Sequence, residues 1–440
     1  MSAPASSTPF FGRTIRESDV RAAVDRLVHA SVFRNEAVFW LLALSFACLF
    51  FLETVPFLWD WNTDSPSYYT AALGLRAGIN IYDDGQFQAL ADQRFGKSMT
   101  IYPYIYPPLL AQISLPLTAL PLSSYFYVMY AMNILLTFFG LYLLIDLLEL
   151  RARDSILPAL FPFALLLSNE AVLTTIHHGQ VNVAVFDVIL LALVFQKKEK
   201  PLPVAFFLSL AVFLKIYPIL FVLPLVFSKR IKALAYFAGS CGALLTASVF
   251  VSGPSPWADF GRSTIQLFLK KADSPFTRAF QNHLGNVSLK GFLAQAFPRA
   301  GLPESLLSPA FVVLAAVLVG SVFVLPRRNS AHADRNSVSS LLFILTVLLA
   351  PITWSHHYVI LLFPAAYLFD RLVAEGRYPA LLLLLLLASQ IFYRAPWGGF
   401  PFNQIRLIAS LGLFAMLLDV AAGRRPGTGL TGPFRRAPSL

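Results

Sequence analysis

Long apolar runs alternate with short polar segments over most of the chain. Runs at residues 37–57, 123–147, 231–251 and 305–325 stand out first. A helix needs about 20 apolar residues to cross a hydrocarbon core of about 30 Å, so each of these runs is long enough to span a membrane. Counting the shorter runs between them, the pattern predicts an all-α polytopic membrane protein with about 11–13 transmembrane helices.

Other apolar runs are shorter and come in pairs that meet at a polar turn, and the segments of about 13 residues beside Lys215 cannot cross a bilayer of ordinary thickness alone. The pairs are 155–172 with 181–195 around HHGQ, 202–214 with 216–227 around Lys215, and 338–352 with 358–369 around WSHH. Short helices that meet at a polar turn usually line a cavity, because irregular backbone at membrane depth must be buried in protein or face water. The pattern therefore predicts a cavity that opens to one side of the membrane.

The apolar segment 107–121 has two interpretations, because it is short and broken by proline. As a full span it would place Arg151 and Arg153 on the outer side. As a re-entrant or half-membrane segment it places both arginines inside, which the distribution of positive charge favours.

Long polar intervals at 58–106 and 252–304 are the predicted first and middle outer loops. The first loop contains a predicted surface helix at 67–77, which ends at Gly78. These boundaries define a transmembrane domain at 37–421, preceded by a basic tail at 1–36 and followed by a second basic tail at 422–440.

The tail at 1–36 is either frayed or, as we expect, an amphipathic helix on the inner leaflet. Val20, Val24, Leu27 and Val28 recur at helical spacing among arginines, which is typical of a helix lying on a membrane surface.

Composition supports the membrane assignment and excludes some partners. Hydrophobic residues make up 57% of the 440 and charged residues 13%, whereas a soluble domain has about 25% charged residues. The net charge of +11 is explained by the positive-inside bias, so no nucleic-acid partner is expected. The two cysteines, Cys48 and Cys241, lie inside apolar runs and imply no disulfide framework.

Charge also orients the chain. Most of the 34 lysine and arginine residues fall in the tails and in the short loops of one side, which predicts that both termini are cytoplasmic. The polar turns at HHGQ, Lys215 and WSHH then share the outer side with the two long loops.

Asp64 lies in the segment WDWNTDSPSYY, just beyond the first apolar run, and is the candidate general base. Its rivals are Asp60, Asp83 and Asp84. Asp83 and Asp84 lie in a YDDG turn, where aspartate commonly caps or turns the backbone. Asp64 has a structural alternative as well, because it could cap the helix that follows it.

Lys215 lies in an apolar stretch, where a lysine is expensive and marks a functional site by default. It could bind an anionic ligand such as a lipid phosphate, or it could only snorkel to the outer headgroups. No metal site is expected, since the spacings HxxxH and HExxH are absent.

Five of the seven histidines fall in predicted outer turns, where they suit phosphate or hydroxyl recognition, although histidine and aromatic residues also decorate membrane interfaces. These histidines are His177, His178, His283, His356 and His357. The neutral amides available for sugar hydroxyls are Gln180, Asn182, Asn282 and Asn286.

The order of several short motifs resembles glycosyltransferase family 87, the bacterial polyprenol-phosphate-mannose-dependent mannosyltransferases of the GT-C class. The motifs are an acid followed by tyrosine in the first outer loop, GINIY at 78–82, YPPLL at 106–110 with LPLTALP, GQVN at 179–182, LK at 214–215 and a late SHH at 355–357. One departure is Ile216, which stands where the family has proline after the lysine.

The resemblance implies a role for each motif residue that it covers. Asp64 matches the first-loop acid that deprotonates the acceptor, and Lys215 with His356 or His357 matches the donor-phosphate site. We expect the remaining polar and aromatic side chains of these clusters to contact substrate: Tyr68, His177, His178, Gln180, Asn182, Asn282, Asn286 and Trp354.

The function implied is transfer of a sugar, with mannose expected, from a polyprenyl-phosphate donor to a lipid or glycan acceptor. Direct displacement with one base predicts inversion at the anomeric carbon. No cofactor is expected, and membrane lipids surround the protein. The resemblance places the enzyme in the bacterial inner membrane, with its site on the periplasmic side.

Two rivals remain. The first is a GT-C enzyme that uses another polyprenyl-linked sugar, such as a pentose. The second is a lipid or sugar transporter or flippase, which would favour internal repeats and ionisable residues at mid-span, and neither is evident in the sequence.

Overall fold

The computed structural model describes residues 22, 31–59, 64–96, 101–153, 155–269, 283–328, 335–393 and 398–422. These parts of the chain are mainly helical and contain no β-strand, which confirms the predicted all-α polytopic fold class. The basic tail beyond residue 422 and most of the expected amphipathic helix at 1–36 lie outside the described residues.

The helices of the described ranges are numbered here in chain order. They are α1 (Glu36–Thr54), α2 (Ser65–Ala77), α3 (Asp84–Phe95), α4 (Pro108–Ser114), α5 (Leu122–Leu147), α6 (Leu157–Ala164), α7 (Glu170–His177), α8 (Asn182–Lys197), α9 (Pro201–Leu214), α10 (Leu223–Phe227), α11 (Ile231–Ser252), α12 (Ser255–Leu269), α13 (Leu289–Arg299), α14 (Leu307–Arg328), α15 (Arg335–Leu349), α16 (Leu362–Ala374), α17 (Tyr378–Phe392) and α18 (Ile405–Ala421). Short 3-10 helices extend several of them, among them Val55–Leu58, Leu115–Ala119, Tyr217–Val222 and Ser355–Leu361.

Six helical stretches of the described chain are long and apolar enough to cross a membrane, so the protein is a multi-pass membrane protein. They are Glu36–Leu58, Leu122–Leu147, Ile231–Ser252, Glu304–Val324, Ser355–Ala374 and Phe402–Ala421. The helices α7 and α8 would add a seventh as a broken span, with their axes bent by 116°. The shorter apolar helices are Pro108–Ala119, Pro201–Leu214, Tyr217–Phe227, Arg335–Leu349 and Tyr378–Phe392.

Several predicted runs are divided more finely than the apolar pattern indicates. The run at 155–172 is not one helix, because α6 ends at Ala164 and α7 begins at Glu170. The segment 107–121 forms the short helix Pro108–Ala119, and at about 1.5 Å per residue it cannot cross a hydrocarbon core of about 30 Å. Its length agrees with the half-membrane interpretation.

The helix of the first long loop differs from expectation in its surroundings. It begins two residues earlier than predicted, at Ser65, and ends as predicted before Gly78, whose φ of +69° is accessible to glycine. The prediction that it lies at the surface was wrong, because residues Ser65 to Gly74 are buried. Packing against α4 and α5 covers this helix.

Packing brings the ends of four elements together. The helix α8 packs between α5 and α9, while α15 packs against α16, α18 and the 3-10 helix Ser355–Leu361. The N-terminal ends of α2 and α8 and the C-terminal ends of α9 and α15 therefore meet on one side of the bundle. By contrast, the span segments of α11 and α14 are only 6% buried and lie at the periphery.

Candidate functional site

Asp64 lies at the meeting point of these helix ends. One carboxylate oxygen, Oδ2, accepts a hydrogen bond of 2.7 Å from Gln180 Nε2 and lies 3.3 Å from His178 Nδ1. Asp64 occupies the cap position of α2 but makes no side-chain cap bond, so the alternative of a purely capping aspartate is not realised. Its carboxylate points into the site instead.

The charge state of Asp64 follows from these contacts. Burial by itself would raise the pKa of this carboxyl, but the hydrogen bond from His178, the neighbouring imidazoles and the bond from Gln180 outweigh burial and hold the pKa below its ordinary value. Asp64 is therefore a carboxylate near neutral pH and can accept a proton.

The turn that carries His178 and Gln180 fits closely against the start of α2. The backbone N–H of Ser65 donates to the His178 carbonyl oxygen at 3.1 Å, and the Ser65 hydroxyl donates to the same oxygen at 3.2 Å. Gly179 has a φ of +61°, and a Cβ added to it would lie 1.8 Å from Ser65 Oγ. Only glycine allows this approach, which sets the position of Asp64 relative to the HHGQ turn.

Gln180 joins the carboxylate side of the site to the cation side. Its Nε2 donates to Asp64, while its Oε1 accepts from the hydroxyl of Tyr68 at 2.6 Å and from Lys215 Nζ at 3.4 Å. The amide orientation therefore matches the charges on either side. The buried Gln180 side chain contacts both the Asp64 carboxylate and the Lys215 amine and keeps them apart.

Lys215 is 3% exposed and lies outside the two short helices that flank it, at the break between α9 and the 3-10 helix Tyr217–Val222. Its Nζ donates to Asn182 Oδ1 at 2.6 Å and lies 4.8 Å from the centre of the Tyr106 ring. Burial lowers the pKa of this amine to about 7, against the opposing charge of Asp64. Lys215 does not snorkel to the surface; it is held inside the site.

His357 turns a second N–H donor toward the same position. The backbone N–H of Trp354 donates to His357 Nδ1 at 3.0 Å, so the neutral ring carries its proton on Nε2. That Nε2 lies 3.4 Å from Lys215 Nζ. Two donors that converge without an acceptor between them form a natural position for an anion.

His356 lies beside the carboxylate. It is buried, its ring is 5.8 Å from that of His178, and one ligand atom each from Asp64, His178 and His356 lie within 4.8 Å of one another. An aspartate and two histidines at this spacing could hold a divalent metal ion. The absence of HxxxH and HExxH spacings does not bear on this cluster, because its three members come from three separate segments of the chain.

Two adjacent cavities open between these groups. The first, of about 150 Å³, is lined by Asp64, His178, Gln180, Trp354 and His356 among others. The second, of about 60 Å³, is lined by Lys215 and Tyr217. Both cavities share Ile105, Tyr106, Ile352 and His357, so they form a carboxylate chamber and a cation chamber on either side of one wall.

Other expected site residues lie elsewhere. His177 stacks on Phe57 with 4.6 Å between ring centroids, and His283 packs on Trp354 at the exposed edge. Asn286 is fully buried and binds the backbone of Pro351 and Thr353, so it supports the turn before Trp354. Asn282 lies outside the described residues.

The rival acids Asp83 and Asp84 lie away from both chambers, and Asp60 lies outside the described residues. Asp83 caps α3 by accepting from the Gln86 N–H at 2.9 Å, and Asp84 lies in the first turn of that helix. Neither lines the carboxylate chamber or the cation chamber.

Sequence reasoning missed the aromatic wall of the site. Tyr102, Ile105 and Tyr106 come from the segment IYPYIYPP, and the Tyr106 hydroxyl donates to Gln180 Oε1 at 3.3 Å. The sequence signal is the density of tyrosine and proline at 101–108, of which only YPPLL at 106–110 entered the prediction, as a family motif.

A comparison with protein-family models matches residues 104–351 to the model described as glycosyltransferase family 87, more than half of the 440-residue chain. Comparison with curated proteins gives no match, and comparison with solved structures gives none. The matched range includes His178, Gln180 and Lys215, whereas Asp64, His356 and His357 lie outside it. The case for those three residues therefore depends on the geometry of the site.

Proposed function

The chain belongs to glycosyltransferase family 87, and on that premise we propose that it transfers a sugar from a polyprenyl-phosphate donor to a hydroxyl of a lipid or glycan acceptor. The observation that carries the proposal is the placement of Asp64 and Lys215 on opposite sides of Gln180. A glycosyl transfer from a lipid phosphate needs a base for the acceptor and a cation for the leaving group, and these two residues supply them in adjacent chambers.

In the proposed reaction the acceptor hydroxyl lies in the carboxylate chamber and the donor phosphate in the cation chamber. The acceptor oxygen forms a bond to the anomeric carbon while the bond from that carbon to the phosphate oxygen breaks. The hydroxyl proton passes to Asp64, and the lipid phosphate leaves with the electron pair of the broken bond. Attack opposite to the leaving group inverts the anomeric configuration.

Each group contributes a recognised effect. A positioned general base accelerates proton transfer by about 10²–10⁴-fold. Charge on the leaving phosphate is stabilised by Lys215 Nζ and by His357 Nε2, which lie 3.4 Å apart, and one such preorganised donor is worth about 10²–10³-fold. Gln180 and Asn182 hold the cation, and Tyr106 covers it.

Mannose is the first sugar to test, because the family resemblance names it and no contact in the site distinguishes it from a pentose. The proposal places the chemistry on the periplasmic side of a bacterial inner membrane. A transporter is disfavoured because the proposed base and the cation lie in adjacent cavities at one end of the helices, and this arrangement suits group transfer.

The experiment measures transfer of radiolabelled mannose from polyprenyl-phosphate mannose in membranes that contain the wild type, Asp64→Asn or Asp83→Asn. We expect wild-type transfer to be kept in Asp83→Asn and to fall by about 10²–10⁴-fold in Asp64→Asn, because the amide cannot accept the proton. Equal transfer by the wild type and Asp64→Asn would remove Asp64 from the chemistry. A product with the donor's anomeric configuration would contradict direct displacement.

A chelator arm tests the role of the cluster formed by Asp64, His178 and His356. With Asp64 as the base, transfer persists in EDTA, and added Zn²⁺ inhibits because it takes the carboxylate oxygen that receives the proton. Transfer that is lost in EDTA and restored by a divalent ion would reassign the three residues as metal ligands.

A further inference from the structure

A third cavity, called the far cavity here, lies at the opposite membrane face from the site just described. It has a volume of about 310 Å³, within the range of about 300–1,000 Å³ typical of ligand pockets. It is enclosed by the far ends of α8, α9, α14 and α15 together with α10. Gln196 lines it near the end of α8, about 21 Å along the helix axis from Asn182 at the other end.

The deep part of this far cavity is apolar. Its buried walls are Val204, Leu208, Phe221, Leu225, Val322 and Leu342. Phe227, which is 42% exposed, stacks on Phe323 with 4.1 Å between ring centroids, so aromatic rings stand where the cavity meets the protein surface. Within a bilayer such a space suits a hydrocarbon chain, since lipid tails are as apolar as the leucine side chains around it.

The mouth of the far cavity is basic and polar. Arg230 and Arg335 line it together with Gln196, Ser228 and Ser339. Arg230 has no ion-pair partner among the described residues. In the described part of the chain the ion-pair partner of Arg335 is Glu199, whose carboxylate lies 3.6 Å from Arg335 Nη2, and both of those side chains are largely exposed.

Two cations close to the far cavity are already paired with acids. Beside the far cavity a second space of about 320 Å³ contains Arg153 and Lys197. Arg153 makes a two-pronged ion pair with Asp370, and Lys197 lies 2.7 Å from Glu149. An anion is therefore drawn to Arg230 and Arg335.

We propose that the far cavity binds an anionic glycerophospholipid of the adjoining leaflet. Its phosphate lies between Arg230 and Arg335, whose forked donors match phosphate oxygens, and one acyl chain fills the apolar part. The basic mouth matches the anionic headgroup of such a lipid, and the apolar interior matches its acyl chain. The occupant is not a substrate, because the thickness of the helix layer separates it from Asp64 and Lys215.

Selectivity between lipids should come from the headgroup. An acyl chain leaves one apolar environment for another, so it contributes little preference between lipids. The headgroup decides, and each basic residue near an anionic headgroup is worth about a fivefold change in affinity. Phosphatidylglycerol should therefore bind more tightly than phosphatidylcholine, and loss of both arginines should weaken phosphatidylglycerol by about 25-fold.

The test is native mass spectrometry of the purified full-length protein, titrated with phosphatidylglycerol, phosphatidylcholine or polyprenyl phosphate. The variants are Arg230→Gln, Arg335→Gln and their combination, with Arg151→Gln as the matched control from the same membrane face. Arg151 is exposed and pairs with Glu36, away from the cavity. A further variant, Val204→Phe, fills the cavity without changing charge.

We expect one tightly bound phosphatidylglycerol in the wild type and in Arg151→Gln, with reduced binding in the arginine variants and in Val204→Phe. Equal binding of phosphatidylcholine, or unchanged binding in the double arginine variant, would overturn the proposal. Selective binding of polyprenyl phosphate at the same arginines would overturn the choice of a glycerophospholipid. Lipid binding is measured without catalysis, so its outcome does not depend on whether the proposed transfer reaction is correct. If the double variant is unstable, Arg230→Gln alone suffices.

Discussion

At the scale of single residues, the site depends on one neutral amide between two opposite charges. Without Gln180, Asp64 and Lys215 would be free to form a direct ion pair, which would occupy both the proposed base and the proposed phosphate ligand. Gln180 donates to the carboxylate through Nε2 and accepts from the ammonium through Oε1, so the two charges are held apart. Tyr68 fixes that amide with a bond of 2.6 Å.

Lys215 should give the reaction a basic limb in its pH dependence. Its pKa of about 7 means that the amine loses its charge as the pH rises through that value, and an uncharged amine no longer attracts the donor phosphate. We expect the donor KM to rise by about tenfold per pH unit above the pKa. Initial rates measured between about pH 6 and about pH 9 at saturating acceptor would show this limb.

Lys215→Arg is the matched variant, because a guanidinium stays charged over this whole range. Its donor KM should be higher throughout, since the arginine fork fits the Asn182 contact poorly, but nearly independent of pH. A basic limb that stays in place in Lys215→Arg would show that another group titrates.

At the scale of elements, broken helices do the positioning. The bend of 116° between α7 and α8 places the turn from His178 to Val181 at the site, and the break after α9 places Lys215 there. Each break puts polar backbone and side chains where a continuous helix would present only apolar ones. The close contact of the HHGQ turn with α2 then places Asp64.

Gly179→Ala should disrupt that contact more than a glycine replacement elsewhere. The added Cβ would overlap Ser65 Oγ at 1.8 Å, in addition to the strain of about 1–2 kcal/mol for a left-handed residue with a side chain. Gly78→Ala is the control, because its φ of +69° brings the same strain with no atom within 4 Å of the new Cβ.

We expect Gly179→Ala to lower both the midpoint of thermal unfolding and the transfer rate below the values of Gly78→Ala. Adding Ser65→Ala should restore part of the loss, because the nearest overlapping atom is removed. Equal effects of the two glycine variants would show that the close approach does not matter.

At the scale of the whole molecule, the two ends of the helix bundle carry different cavities. One face gathers the carboxylate and cation chambers, while the other contains the far cavity and a concentration of arginine and lysine. The helices α8 and α15 run between them, so residues at their two ends belong to opposite faces.

If the two faces lie on opposite sides of the membrane, cysteines placed on them should differ in their accessibility to a reagent added outside the cell. In a background of Cys48→Ser and Cys241→Ser, a cysteine at Gln86 on the site face should react with a membrane-impermeant maleimide in intact cells. A cysteine at Lys198, exposed at the far end of α8, should react only after permeabilisation. Labelling measured by gel shift would contradict the proposed orientation if the two positions behaved alike or in reverse.

The sequence alone determined the membrane class, the helical fold, the polar turns and the family resemblance. Each of these depends on local apolar run length, on charge distribution or on short motifs, which are properties of neighbouring residues. It also indicated Asp64, His178, Gln180, Lys215 and the late histidines, because polar groups in so apolar a chain stand out.

Only the tertiary structure decided how these residues relate. It buried α2, which was predicted to lie at the surface because it falls in a long outer loop, and divided the run at 155–172 into two helices. It also separated Asp64 from Asp83 and Asp84, assigned His177 and Asn286 to supporting contacts and added Tyr106 to the site wall. These outcomes depend on contacts between segments more than a hundred residues apart, such as that of Asp64 with Gln180, and local patterns do not encode which distant side chains share a cavity.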